Sequence, residues 1–209
     1  MNIGIGLSIN ISSILSSGIT PPLDDYTGAQ TAYSIARKLR TAYAGSAIRV
    51  RADNELVTNG GFDADTNWID EAGDTWTRAA GVASADGTQT NILSMYQGGF
   101  TVGKVYSITY EVVSISAGST TIYASYGAPG IARTTTGTYT EELTWAGNQN
   151  LLMKASADFV GSIDNITVME VADIGFDASG DLDETALLAH TGSNSGYITK
   201  AYDQSGNSN

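Results

Sequence analysis

The sequence predicts a mainly β protein in which one β-sandwich is inserted into another domain, and three observations carry that prediction. Among 209 residues there are 24 Gly, 11 Tyr and only 3 Pro, a composition suited to short strands and tight turns. From about Asn54 to Val171, segments rich in Val, Ile, Thr and Tyr recur between Gly-containing breaks, without a helical period. The chain before this stretch reads helix then strand, and after it resumes at Asp173-Ile-Gly-Phe176 as though nothing intervened.

Taken in order, residues 1–22 alternate Gly, Ile, Leu, Asn and Ser and end at Pro21-Pro22, which restrict the backbone. They read as an arm, either a loose leader or an extended segment that orders against a partner. Met1 to Ile19 has no positive start, and Asn10, Ser12, Ser13 and Ser16 interrupt its apolar run, which predicts neither a signal peptide nor a membrane span. Ala32, Ile35, Ala36, Leu39 and Tyr43 follow helical spacing and predict a helix over 29–41, with Gly45 available for the turn after it. Ala47 to Arg51 alternates apolar and basic residues like a strand with one buried face.

Within the insert, strands are expected over 91–97, 104–115, 120–125, 138–145, 151–155 and 160–169. Strands at this spacing with short turns make a two-sheet sandwich. Beyond it, Asp173 to Phe176 is a short strand, Asp183 caps a helix from Glu184 to His190, and Gly196 to Tyr202 is another strand. Two helices and three strands do not close an ordinary sheet domain, so the outer domain is read as incomplete, to be continued by further chain or finished by a partner's edge.

The net charge of −12, with scattered acids and no basic tract, argues against nucleic acid as a partner. The absence of Cys removes disulfide and thiolate chemistry and suits folding in a reducing cytoplasm. His190 is the only histidine and lacks a second imidazole or thiol, so it reads as a helix C-terminal residue. Ser205 follows no nucleophile pattern.

Ala32-Tyr33-Ser34, Arg37-Lys-Leu-Arg40, Tyr43 to Arg51, Asp173-Ile-Gly-Phe176 and Tyr202-Asp-Gln-Ser-Gly-Asn207 together resemble the start of the arabinofuranosidase B type of domain. That resemblance implies a partial concanavalin A-like lectin domain over 23–53 and 172–209, of a kind that recurs in bacteriophage tail and fibre proteins. The hydrolytic carboxylates of that family lie beyond the Tyr-Asp-Gln-Ser-Gly element, so no catalytic residue is carried over. Asp173, Asp177, Asp181, Asp183 and Asp203 read as solvated surface acids, not as the pair a glycosidase needs.

The insert, 54–171, resembles the jelly-roll carbohydrate-binding modules appended to xylanases and cellulases. The resemblance rests on Leu56 to Asp63, Trp68, Lys104 to Tyr110 and Gly161 to Val168. It implies a structural calcium ion between the opening and closing segments, held by Asp63 and Asp164 with backbone oxygens near Asn59. Both carboxylates are equally the residue type that caps turns. Sugar recognition needs aromatic faces and planar polar groups. The candidates are Trp68, Trp76, Tyr96, Tyr123, Tyr126 and Trp145, with Asn91, Gln97 and Arg133 as polar neighbours, and Tyr126 in a Gly/Pro loop is the one expected to be exposed.

The function expected from these resemblances is that of a phage virion structural protein, a tail fibre or appendage. Its arm would dock on other virion proteins, its β domains would meet a host surface glycan, and it would form a homotrimer. A glycan-binding module outside a virion and a truncated, non-catalytic glycoside hydrolase relative are the alternatives. None of the readings calls for membrane insertion.

Overall fold

The computed structural model describes residues 33–71 and 76–205. The expectations for the arm, 1–22, and for Ala29 to Ala32 lie outside those residues. The chain divides into two compact units, one formed by Met1–Asn54 with Val171–Asn209 and one by Glu55–Glu170.

In the unit formed by Glu55–Glu170, two sheets enclose one core. One is four-stranded, in the order β2 (Ile69–Asp70), β5 (Leu93–Gly98), β9 (Asn150–Ala155), β7 (Thr120–Ala124), with antiparallel neighbours. The other runs β3 (Thr77–Ala79), β4 (Val82–Asp86), β10 (Val160–Ile174, up to Glu170 in this unit), β6 (Val105–Ala117), β8 (Gly137–Thr144). Every residue pair along a strand alternates faces. Tyr106, Ile108, Tyr110 and Val112 of β6 therefore meet Met95, Ile122 and Met153 of the opposite sheet in a core that also holds Trp68, Trp76 and Trp145. This is the sandwich expected from the sequence.

The opening and closing segments of this unit run side by side, joined by Leu56 N–H to the Val168 carbonyl and, closest, at Gly60. The Ile166 amide donates to the Gly60 carbonyl at 2.9 Å, and a Cβ on Gly60 would stand 1.8 Å from the Ile166 carbonyl oxygen. Asn59 and Phe62 flank it with φ of 57° and 50°. The Asn59 side chain holds the turn by donating to the Ala64 and Thr66 carbonyls at 2.7 and 3.0 Å.

The sequence reading missed β2, which is two residues long, and β3 and β4, which are short and carry few large apolar residues. Strands β3 and β4 form a two-residue hairpin closed by Ala79 opposite Val82, with Ala80 and Gly81 at φ 55° and 76°, the geometry whose twist suits a hairpin.

The other unit carries β1 (Ile48–Ala52), the 171–174 end of β10, β11 (Gly196–Ala201) and α1 (Glu184–Thr191). Strand β1 lies between the other two and is antiparallel to both, with Arg49 opposite Asp173 on one side and Lys200 on the other. Ala47, Ile48, Val50, Ile174 and Leu187 are its buried core. Asp183 caps α1 as expected, accepting from the Ala186 amide at 2.9 Å, and His190 at the helix end contacts the Val50 carbonyl at 3.0 Å.

The helix expected over 29–41 does not form in its described part. From Tyr33 the backbone is instead paired with distant residues: Lys38 N–H with the Gly180 carbonyl, the Ala36 carbonyl with Leu182 N–H, and Leu39 N–H with the Gln204 side chain. Tertiary hydrogen bonds have replaced the helical ones that the apolar spacing favoured. The Tyr202-Asp-Gln-Ser205 element is the clasp for this segment. Buried Gln204 accepts from Leu39 N–H at 2.9 Å and donates to the Ser34 carbonyl at 2.7 Å, while Tyr202 donates to Asp173 at 2.7 Å.

Replacing Gly60 by Ala is expected to destabilise the Glu55–Glu170 unit by more than about 2 kcal/mol, because backbone must move to admit the methyl group. Gly61→Ala, whose Cβ meets nothing closer than 3.9 Å, is expected to stay within about 0.5 kcal/mol. Urea unfolding midpoints of the two variants check the contrast.

Candidate functional site

The three tryptophans proposed from the sequence as sugar platforms are core residues in the structure. Trp68, Trp76 and Trp145 are 5%, 3% and 0% exposed. Trp68 tilts against Phe62 at 5.6 Å between centroids and donates from its indole to the Asn59 carbonyl at 3.0 Å. Trp76 packs on Phe159, and Trp145 is stacked on Phe100 at 4.5 Å and edge-on to Tyr106. Their large apolar surfaces are stabilising only inside the sandwich, which corrects the expectation for these positions. Gln97 points inward as well, clamping Thr58 through both backbone groups. Arg133 is engaged by Glu141 at 2.9 Å and lies over the Tyr139 ring at 4.3 Å.

The three tyrosines do share one surface, the outer face of sheet β2-β5-β9-β7. Register sorts that face into two rows. Tyr96 and Tyr123 both stand opposite Leu152, with Ile69 opposite Tyr96 on the far side. One pleat along, Ser94 and Thr121 both stand opposite Lys154, and Glu71 follows Asp70 beside them, its amide donating to the Ser94 carbonyl at 2.9 Å. An apolar row and a polar row thus run side by side across the sheet, about 7 Å apart by strand rise. Tyr96, Tyr123 and Lys154 are half-buried, whereas Ile69 is exposed. Leu152 lies on this outer face yet is 0% exposed, so both faces of β9 are covered here.

Tyr126 follows β7 and reaches across that face. Its hydroxyl hydrogen-bonds Glu71, and the Lys154 ammonium lies 5.1 Å from its ring and 5.0 Å from that of Tyr123. The ring is 52% exposed, in line with the expectation for this residue. Its loop is anchored from below. Ala124 N–H bonds the Ala128 carbonyl, Gly130 N–H bonds the Ile122 carbonyl, and Arg133 pairs with Thr120. Buried Glu141 accepts from Ile131 N–H at 2.8 Å and from Arg133, and Tyr110 sits against it, with burial pushing the Tyr110 hydroxyl up to about 12.

Asp63 and Asp164 come together at the point where the opening and closing segments meet. A Cβ on Gly61 would lie 3.9 Å from Asp164 Oδ1 and 4.0 Å from Asp63 Oδ2, so both carboxylates face the same open position. Glu111, which accepts from Asn165 Nδ2 at 3.0 Å, is the third acid nearby and was not foreseen. Burial pushes the Asp164 carboxyl above its usual range, and the charges of Glu111 and Asp63 push it further, against an opposing hydrogen bond from Asn165 N–H. Hard oxygens on converging, mutually repelling carboxylates are the donor chemistry that suits calcium. Among the described residues no three or more His, Cys, Asp or Glu side chains are grouped closely enough to hold a metal ion by themselves, so backbone oxygens or water would have to complete the shell.

The acids of the other unit are occupied by structure. Asp173 pairs with Arg49 at 2.7 Å, which holds its carboxyl below the usual range with help from Tyr202. Asp181 pairs with Arg37 at 3.3 Å, Asp177 accepts from the Ser179 and Asp181 amides, and Asp203 accepts from Ser205. Among the described residues no helix is long and apolar enough to cross a membrane.

No family model matches the sequence, and no curated protein matches it. Several solved structures are similar over part of the chain. BiXyn10A CBM1 in its apo form aligns at a TM-score of 0.39 and 18% identity, over 58% of this chain and 98% of that one. A structure described as CBM4 structure and function aligns at 0.36 and 16%, over 55% and 99%. The enzymatically active domain of bacteriophage CBA120 tailspike protein 4 aligns at 0.37 and 15%, over 56% of this chain and 21% of that one. At these identities and scores, function has to be argued from the residues of this chain.

Trp145→Ala is expected to cost about 3–5 kcal/mol of stability, whereas Tyr123→Ala, half-exposed on the outer face, is expected to cost no more than about 1 kcal/mol. Thermal unfolding of both variants separates the core aromatic from the surface one.

Proposed function

We propose that this chain is a carbohydrate-binding protein that takes a glycan on the outer face of sheet β2-β5-β9-β7 and does not cleave it. The observation that carries the reading is the pair of rows on that face. Tyr96 and Tyr123 offer ring surface for the apolar side of a pyranose, and Thr121, Lys154 and Glu71 offer donors and acceptors one pleat away for its hydroxyls. Tyr126 forms a wall over the same surface. Binding is favoured over turnover because the acids that could have been considered for catalysis are each tied to a cation, a cap or a turn.

The setting we propose is a virion appendage, a tail fibre or related protein that attaches to a host surface glycan, as a homotrimer docked on other virion proteins. The Tyr202-Asp-Gln-Ser205 and Asn59-Gly-Gly-Phe-Asp63 elements support it by their resemblance to domains found in phage proteins, as does the lack of Cys. A structural calcium ion belongs to the same proposal. Asp63 and Asp164 would hold it, with Glu111 beside them, and its charge would relieve the repulsion at the junction of the opening and closing segments.

Affinity electrophoresis in soluble polysaccharides tests the binding face. Tyr123→Ala and Tyr96→Ala are each expected to weaken glycan binding about tenfold without unfolding the protein. Retention of full affinity by both variants would refute the assignment of this face.

Calcium is expected to raise the melting temperature by about 2–4 °C over a chelator control, and Asp164→Asn is expected to abolish the rise. The sign in chelator is the opposite. Because the Asp164 carboxyl titrates above its unfolded value, its protonated form favours the fold, and the advantage is lost as pH rises through the folded pKa. At pH 7 without calcium, Asp164→Asn is therefore expected to be at least as stable as the parent.

A further inference from the structure

The polar row of the outer face presents two donors that the protein leaves without acceptors. Among the described residues Lys154 makes no ion pair, and its ammonium lies against the Tyr123 and Tyr126 rings, 5.0 and 5.1 Å away. Arg37, Arg49, Arg78, Lys104 and Arg133 are each paired with a carboxylate, whereas Lys154, like Arg51 and Lys200, lies over tyrosine, and Lys154 alone of these three is on the binding face. Independently, Ser94, which stands directly opposite Lys154, is only 5% exposed, and its hydroxyl has no hydrogen-bond partner. A buried hydroxyl left unpaired is costly, and a half-buried ammonium is costlier to leave without an anion. Glu71, in the same row, bonds the Tyr126 hydroxyl and does not come within ion-pair distance of Lys154.

We infer that the glycan is an acidic one, and that a carboxylated sugar seats its carboxylate on Lys154, beside the unpaired Ser94 hydroxyl, while its ring lies against Tyr96 and Tyr123. The inference rests on the binding face proposed above and names its substrate class. The spacing suits it, because the two rows are one pleat, about 7 Å, apart, and a hexuronate carries its carboxylate on the edge of a ring with an apolar face. The cation–π contacts supply a second reason. A neutral sugar that stacks on Tyr123 displaces the ammonium and returns only a hydrogen bond to an uncharged hydroxyl. A carboxylate draws the ammonium off the ring and pairs with it by a charge-assisted hydrogen bond, freeing the ring for the sugar.

Four probes distinguish the possibilities by affinity electrophoresis: polygalacturonate, its methyl-esterified form, dextran sulfate and a neutral xylan. The expected result is binding of polygalacturonate that falls on methyl esterification and with added salt. Lys154→Met is then expected to weaken it about tenfold or more, while Lys154→Arg, which keeps the charge, retains most of it. Xylan bound as well as polygalacturonate, insensitive to Lys154→Met yet lost in Tyr123→Ala, would overturn the acidic-sugar inference and leave the binding face standing. Preference for dextran sulfate over polygalacturonate would overturn it in favour of charge density alone. Failure of every probe to bind would remove the binding face and this inference together.

Discussion

The constraint on which the sandwich depends is the approach of two backbones at Gly60 and Ile166. A side chain at Gly60 would occupy the position of a carbonyl oxygen, so only glycine lets the opening turn hydrogen-bond the closing strand there. Much else follows from that contact. It fixes the Asn59 carbonyl as acceptor for the Trp68 indole, sends Phe62 into the core, and turns Asp63 towards Asp164. The charged cluster at this junction is therefore a by-product of close packing, and its cost is visible in the raised Asp164 carboxyl.

The outer face of sheet β2-β5-β9-β7 shows how a surface of this kind is kept available. Inward residues of the same strands, Leu93, Met95, Ile122 and Met153, lock the sheet to the core, so the outward residues need not hold the fold together. Support for Tyr126 comes from beneath, where buried Glu141 of β8 holds Ile131 and Arg133 while backbone bridges join the same segment to β7. An ion pair at that depth is a poor source of net stability. Its value lies in fixing where the loop runs.

The Tyr202-Asp-Gln-Ser205 element has a parallel role in the other unit. Gln204 substitutes for a backbone partner on both sides of an irregular segment, and Tyr202 joins Arg49 on Asp173. These residues are explained by the hydrogen bonds the chain needs to fold, without appeal to chemistry on a substrate.

By itself the sequence determined the mainly β class, most strands of the sandwich and the Asp183 helix cap, because strand alternation, Gly breaks and capping are local. Asn59 to Asp63 and Tyr202 to Ser205 stood out through their resemblance to known domains. Tertiary structure alone decided which aromatics serve packing and which serve the surface. Trp145 and Tyr123 carry similar local signals, and only the opposing sheet settles which side of its own sheet each ring faces. The Leu151-Leu-Met153 run hid the alternation that places Leu152 outward. The unformed helix after Tyr33 has the same cause: its apolar spacing was legible, but the partners that outcompeted helical hydrogen bonds lie at Gly180, Leu182 and Gln204, too distant in sequence for any local pattern to register.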